Sequence, residues 1–131
     1  MPVSIGHAQW VPIAKAFYGL QAMGKLAELD DRIFNAIHVQ GVRLNDEAAI
    51  ADWLAMQGLD RAQFTAAMSS FSVITFATRA EQVARAHRIP SVPTLVVDGK
   101  YLIAIGDDGV FTSQLLVVSE LIAKARAERA R

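Results

Sequence analysis

Residues 88–101, RIPSVPTLVVDGKY, hold the arrangement in this sequence that most resembles a binding site. Pro90 can end the helix before it. Pro93 stands directly before the apolar run from Thr94, at the first position of a predicted strand, where a proline is tolerated. A cis Val92–Pro93 bond would turn the chain sharply there. It would also leave the backbone groups around Val92 free to pair with an extended peptide.

The sequence lacks the side chains of several other kinds of site. It has no cysteine, which excludes a disulfide framework, a thiolate nucleophile and a cysteine-based metal or cluster site within this chain. His7, His38 and His87 fall in different segments without the spacing of a zinc site. Neither GxGxxG nor GxxxxGK[ST] occurs, so a phosphate-binding loop is not indicated. We expect no metal and no cofactor.

The composition indicates one folded domain. The chain has 131 residues, of which 53% are hydrophobic and 20% charged, and this balance is not that of a disordered protein. The formal net charge is zero, so no nucleic-acid partner is expected. The apolar runs are too short to span a bilayer. Residues 1–7 have neither a basic nor a long apolar region, and no signal peptide is predicted.

The hydrophobic pattern predicts a strand end at residues 3–5, then about five helices, a hairpin and a last helix. Asn45 or Asp46 is expected to cap the third helix, and Asp60, with Gln63 after it, the fourth. Asp98-Gly99 predicts the hairpin turn, Tyr101 to Ile105 the returning strand, and a second turn is expected at 107–109. Aromatic residues recur at helical spacing and are expected in the core: Trp10, Phe17, Phe34, Trp53, Phe64, Phe71 and Phe76.

Three stretches together resemble one protein family. IPSVPTLVVDGKY resembles the cis-proline loop and following hairpin of DsbA-type thiol:disulfide interchange proteins. The stretch from AFYGLQAMGK to MQGLD, with the long helix after it, resembles the helical domain inserted in that family's thioredoxin fold, and PVSIGHAQW the end of the strand before it. The resemblance implies an α/β, thioredoxin-like fold with an all-helical insertion and without the N-terminal β–α unit. The implied parts are 1–6 (strand end), 7–88 (insertion and connecting helix) and 89–131 (hairpin and helix).

The resemblance also implies a divided active site. The family's catalytic Cys-x-x-Cys lies N-terminal to everything in this sequence, so no catalytic residue is expected here and the chain alone should be redox-inactive. Pro93 corresponds to the family's cis-proline, Val92 to the residue that faces the thiols and the substrate, and Thr94 completes the loop. The implied parent is a periplasmic oxidase that introduces disulfides into secreted proteins. Its implied partners are reduced, extended polypeptides and a membrane reoxidase.

Several alternatives stay open. Cysteine-free relatives with the same inserted fold include glutathione-dependent isomerases and kappa-type transferases, although YLIAIGDDGVF lacks the aromatic-Gly-Gln-Asp pattern expected of them. A redox-inactive peptide-binding module and a purely structural fragment are further interpretations. A truncated polypeptide, a misassigned start at Met1 and a natural cysteine-free protein would each account for the missing cysteines. We also expect self-association through the exposed sheet.

Overall fold

The computed structural model describes residues 1–104 and 111–130, with the side chains of 111–113 left undescribed. A short 3-10 helix, Ala8–Trp10, precedes the first α-helix. The regular elements are α1 (Val11–Ala22), α2 (Leu26–His38), α3 (Glu47–Met56), α4 (Arg61–Met68), α5 (Phe71–Ala86), β1 (Thr94–Val97), β2 (Tyr101–Ala104) and α6 (Phe111–Arg129). The chain divides into two compact units, residues 1–82 and 83–131, with the boundary inside α5. The three-part division that the sequence suggests stays a prediction.

Two of the helices begin where the sequence predicts a cap. The Asp46 carboxylate accepts a hydrogen bond from the Ala49 N–H (2.8 Å) at the start of α3. The Asp60 carboxylate accepts one from the Gln63 N–H (2.8 Å) at the start of α4. Each bond satisfies a backbone donor that has no partner within its helix. Both predicted caps are confirmed.

The core of the first unit lies where α1 packs against α2, α3 and α4. Gly19 allows the close approach of α1 to α4, because a Cβ at this position would lie 3.1 Å from the Met68 Sδ. The Phe64 side chain fills the same region and is 1% exposed. The buried cluster consists of Ala16, Leu20, Leu29, Ile33, Ala36, Leu44, Ile50, Ala51, Trp53, Leu54, Phe64 and Met68. The apolar residues that recur at helical spacing in α1 to α4 therefore pack together into one core.

A smaller cluster in the same unit joins the N-terminal residues to α5. Tyr18, Val73 and Ala80 form its centre, and Val3 packs against it. The structure differs here from the strand end predicted at residues 3–5. No strand pairs with these residues in the described part of the chain, and the Ser4 N–H donates instead to the Glu81 carboxylate.

The second unit contains an antiparallel hairpin that packs against α6. Thr94 pairs with Ala104 and Val97 with Tyr101 across the two strands. Ala125 of α6 is buried, at 5% exposed. Ile105, predicted to continue the second strand, and the predicted turn at 107–109 lie outside the described residues.

The expectation of aromatic burial is wrong for four residues. Phe71 is 85% exposed, Phe34 65%, Phe76 55% and Trp10 37%, whereas Trp53 and Phe64 are buried as expected. Helical spacing identifies which residues share a face of a helix. It does not tell whether another element covers that face, and in the described part of the chain these four side chains are only partly covered.

The Asp60 cap yields a stability prediction, because α4 has only eight residues. Asp60→Ala should lower the free energy of unfolding by about 1 kcal/mol, since the Gln63 N–H loses its acceptor. Asp60→Asn keeps a cap acceptor and serves as the matched control. Urea unfolding followed by circular dichroism measures both variants. Equal losses in the two variants would contradict the capping role.

Candidate functional site

The end of α5 positions the candidate loop. The Ile89 N–H donates to the Ala84 carbonyl (3.0 Å), and the Arg88 N–H donates to the Arg85 carbonyl (3.0 Å). Arg88 has a φ of 51°, in the left-handed region. These two bonds and the left-handed residue make a Schellman-type helix end, after which a proline commonly follows. Pro90 occupies that position, so the helix ends before the loop begins.

The loop itself is residues 91–94. The Val92–Pro93 peptide bond is cis, as the resemblance implies. The Thr94 hydroxyl donates to the Ser91 carbonyl (2.7 Å) and closes the loop across the proline. Val92 is 51% exposed, and among the described residues its backbone N–H and C=O take part in no hydrogen bond. The loop therefore presents an exposed backbone donor and acceptor next to the first residue of β1.

The hairpin turn fixes where β1 begins. Asp98 and Gly99 have φ values of 54° and 68°, and the Lys100 N–H donates to the Val97 carbonyl (3.1 Å). Two successive residues with positive φ are typical of the tight type I′ turn, which matches the twist of the paired strands. The predicted Asp-Gly turn is confirmed. Three residues, 98–100, connect the paired Val97 and Tyr101, and this short connection holds Thr94 opposite Ala104.

An ionic cluster joins the hairpin turn to the end of α6. Arg129 donates to the Asp98 carboxylate. Lys100 Nζ lies 3.2 Å from Glu128 Oε2 and 3.6 Å from Asp98 Oδ2, and the Tyr101 hydroxyl donates to Glu128 Oε1 (2.8 Å). Lys124 Nζ lies 5.1 Å from the Tyr101 ring centroid, within cation–π range. We call Asp98, Lys100, Tyr101, Glu128 and Arg129 the hairpin clamp.

Contacts within the clamp shift the pKa values of three of its residues. The hydrogen bond from Arg129, with the charges of Arg129 and Lys100, lowers the pKa of Asp98. The hydrogen bonds from Tyr101 and then from Lys100 lower the pKa of Glu128. The hydrogen bond and charge of Glu128 raise the pKa of Lys100. Each shift favours the charged form, so the clamp is an ionised cluster at neutral pH.

The three histidines are not brought together. The His7 ring lies 4.3 Å from the Trp10 ring and the His38 ring 4.3 Å from the Phe34 ring, between centroids. His87 lies near the hairpin, with its Cε1 3.5 Å from where a Cβ on Gly99 would be. Within residues 1–104 and 111–130, the His, Asp and Glu side chains form no group that could hold a metal ion.

Sequence reasoning missed the hairpin clamp. Arg129 lies 31 residues after Asp98, and pairing over such a distance has no local pattern. The only available signals were the aspartate of the turn and the alternating charges at the end of α6.

None of the helices in the described part of the chain has the length and apolar character needed to cross a membrane.

Comparison with known proteins identifies the family of this chain. The family model described as DSBA-like thioredoxin domain matches residues 6–117, most of the chain. The chain belongs to this family. The DsbA-like family assignment predicted from the loop, the inserted helices and the hairpin is therefore confirmed, and so is the thioredoxin-like fold class with its helical insertion.

Individual members of the DsbA family are similar over most of this chain. The thiol:disulfide interchange protein DsbA of Bordetella parapertussis is 38% identical over 123 residues, which are 92% of this chain and 57% of that protein. The protein of that name from Pseudomonas aeruginosa is 33% identical over 118 residues, 90% of this chain and 56% of the relative. The chain thus spans little more than half the length of these relatives.

Solved structures show the same fold. The crystal structure of a single-substitution variant of Pseudomonas aeruginosa DsbA superposes with a TM-score of 0.86 at 32% identity, covering 97% of this chain and 68% of that one. A second crystal structure of Pseudomonas aeruginosa DsbA gives 0.83 at 31% identity, covering 100% of this chain and 68% of that one. This chain thus belongs to a thiol:disulfide oxidoreductase family, and its 131 residues include no cysteine. The substrate-binding role of Val92, Pro93 and Thr94 stays a prediction.

The hairpin clamp predicts an acid-labile hairpin. A carboxylate whose pKa is lowered by folding contributes stability that is complete above its unfolded pKa, about 4, and is lost as the pH falls through the folded value. Lys100 behaves in the opposite sense: its contribution is complete below its ordinary pKa of about 10 and is lost as the pH rises through the higher folded value. Hydrogen-exchange protection of the Lys100 amide should therefore fall below about pH 4 and be retained at neutral pH.

Asp98→Asn tests the origin of this effect, because asparagine tolerates the positive φ of the turn and carries no charge. The variant should show lower protection at neutral pH and a weaker response to acid. Asp52→Asn, which breaks the exposed Asp52–Arg61 pair, is the control and should leave the Lys100 amide unchanged. An acid response in Asp98→Asn as steep as in the unchanged protein would contradict the clamp.

Proposed function

We propose that this chain supplies the peptide-binding part of a DsbA-like thiol:disulfide oxidoreductase, and that the loop at Val92–Thr94 binds reduced, extended polypeptides. The observation that carries the proposal is the exposed Val92, whose backbone N–H and C=O have no hydrogen-bond partner among the described residues. An extended peptide can supply both partners at once, in the manner of a strand added to a sheet.

Backbone pairing suits an enzyme with many substrates. Main-chain groups are the same in every polypeptide, so hydrogen bonds to Val92 give affinity without demanding a sequence. The bond from the Thr94 hydroxyl to the Ser91 carbonyl holds the loop in shape before a peptide arrives. A loop ordered in advance loses less conformational entropy on binding than one that orders with its ligand.

The thiol chemistry must come from cysteines that this chain does not contain. Disulfide exchange requires a thiolate that attacks or is attacked at sulfur, and the only sulfur here is that of methionine. In the proposed parent protein, a Cys-x-x-Cys disulfide takes two electrons and two protons from a substrate dithiol. The substrate becomes a disulfide, the Cys-x-x-Cys pair becomes a dithiol, and a membrane reoxidase oxidises that pair back to its disulfide. We place that reaction on secreted proteins in the periplasm. The names of the relatives, thiol:disulfide interchange proteins, support the reaction type.

A second candidate is a peptide-binding module without redox activity. The absence of cysteine together with an ordered loop favours it when this polypeptide acts alone. A glutathione-dependent isomerase or transferase has no comparable support, because residues 101–111 lack the sequence pattern expected of it.

Binding through the backbone can be tested without altering the protein. A short extended peptide should bind, and N-methylation of the amides that face Val92 should weaken binding about tenfold, since each methyl removes a donor. N-methylation of the alternate amides, which point away in an extended chain, is the matched control. Titration calorimetry measures all three peptides. Equal losses from both methylation patterns would contradict pairing with Val92.

The same preparation tests whether the thiol chemistry lies outside this chain. Without cysteine, this polypeptide should bind a reduced dithiol peptide and leave its thiols unoxidised, as measured by thiol titration. Oxidation catalysed by this chain alone would overturn the assignment of the thiols to cysteines outside it.

We further propose self-association through the hairpin. Val96 and Leu102 face each other across the strands and are 36% and 42% exposed, and β1 has a strand on only one side in the described part of the chain. An exposed apolar pair beside an open strand edge favours pairing with a second copy.

Sedimentation velocity should therefore show a concentration-dependent dimer, and Val96→Lys should shift it toward monomer, because a charge on the strand opposes edge pairing. Phe34→Lys, which places the same charge on the exposed face of α2, is the control. A monomer at all concentrations, or equal effects of the two variants, would contradict association through the hairpin.

A further inference from the structure

A groove of about 390 Å³ lies in the first unit, between the N-terminal residues, α1 and α5. Ala14 and Ala77 are among its lining residues and contribute only small side chains. Val11 and Ile74 flank it and are 48% and 47% exposed, which is high for side chains of their kind. The groove is therefore lined by aliphatic surface that an elongated apolar group could cover.

The groove carries one uncompensated negative charge. Glu81 lies on its wall, and in the described part of the chain the carboxylate accepts one hydrogen bond, from the Ser4 N–H to Oε1, and meets no cation within 4.0 Å. Lys15 also lines the groove, but its Nζ lies 2.8 Å from Glu47 Oε1 and is neutralised there. A half-buried carboxylate with a free oxygen attracts a cationic hydrogen-bond donor.

An aromatic ring stands beside that carboxylate. Tyr18 lines the groove, and its hydroxyl donates to the Pro2 carbonyl (3.1 Å). Burial, and then the charge of Glu81, raise the pKa of Tyr18, so the phenol stays neutral at physiological pH. Tyr18 is 8% exposed and stacks with the Phe76 ring, so it adds neutral apolar surface beside the carboxylate and leaves little of its own face open.

We propose that this groove binds an arginine side chain of a polypeptide partner. The methylene stem of arginine covers aliphatic surface such as Val11 and Ile74, while its charged end reaches a carboxylate. The planar guanidinium donates to the free oxygen of Glu81, and because it is weakly hydrated it tolerates the apolar surroundings of the groove. A lysine ammonium offers only a point charge and is more strongly hydrated, so arginine fits this combination better. The groove lies apart in the sequence from the Val92 loop, and this inference does not rest on the proposed function.

Capped single residues provide the test. N-acetyl-arginine amide should shift the NMR resonances of the Ser4 and Glu81 amides, and should bind about fivefold more tightly than N-acetyl-citrulline amide, its neutral isostere. N-acetyl-lysine amide should bind between the two. Equal binding of arginine and citrulline, or of arginine and lysine, would overturn the proposal. Ethylguanidine binding as tightly as the capped arginine would overturn the assignment to a polypeptide side chain.

Two variants test the carboxylate and the aliphatic surface of the groove separately. Glu81→Gln keeps an acceptor for the Ser4 N–H and should lower arginine affinity about fivefold while leaving citrulline unaffected. Ile74→Ser should lower the affinity for both ligands, since it removes aliphatic surface. Glu120→Gln, on the exposed surface of α6, is the charge-matched control and should change neither. Unchanged arginine affinity in Glu81→Gln and Ile74→Ser would overturn the site, and their amide spectra without ligand report whether each variant is folded.

Discussion

The register of the hairpin is the constraint on which the candidate site depends. A slip of one residue in β1 would reverse the face of every side chain and carry Thr94 out of position opposite Ala104. The left-handed pair Asp98–Gly99 prevents that slip from one end, and Arg129 holds Asp98 from α6. The opposite end of β1 is then determined as well. Val92 stands outside the ladder because the strand begins after it, at Thr94, and for that reason its backbone groups have no partner within residues 1–104 and 111–130.

That arrangement separates binding from chemistry. A buried backbone group without a partner is costly, whereas an exposed one is solvated and can exchange water for a peptide group. Val92 is exposed, so its free donor and acceptor are compatible with a stable fold. The loop needs no thiol to keep this shape, since its contacts are the Ser91–Thr94 bond and the adjoining hairpin. The loop thus keeps its shape in a polypeptide without cysteine.

Local chemistry explains what could be predicted from the sequence. The caps at Asp46 and Asp60 and the turn at Asp98 each depend on residues within a few positions, and all three were predictable. Distant pairing has no such signal, so the Asp98–Arg129 contact was missed, and the strand end expected at residues 3–5 has no pairing strand among the described residues. The prediction that all the aromatic residues are buried was wrong for a related reason. Spacing reports a helix face, and burial depends on what covers it.

The two candidate binding surfaces obey different physics, and the difference bears on selectivity. Hydrogen bonds to the backbone of Val92 are available to any extended chain, so they cannot by themselves favour one partner over another. The carboxylate of Glu81 distinguishes charge, and its attraction for a cation weakens as ionic strength rises because exposed charges are screened. A partner that used both surfaces would bind with an affinity that depends on salt only in part. The part of the binding free energy that persists at high salt measures backbone pairing. The part that is lost at high salt measures recognition of charge.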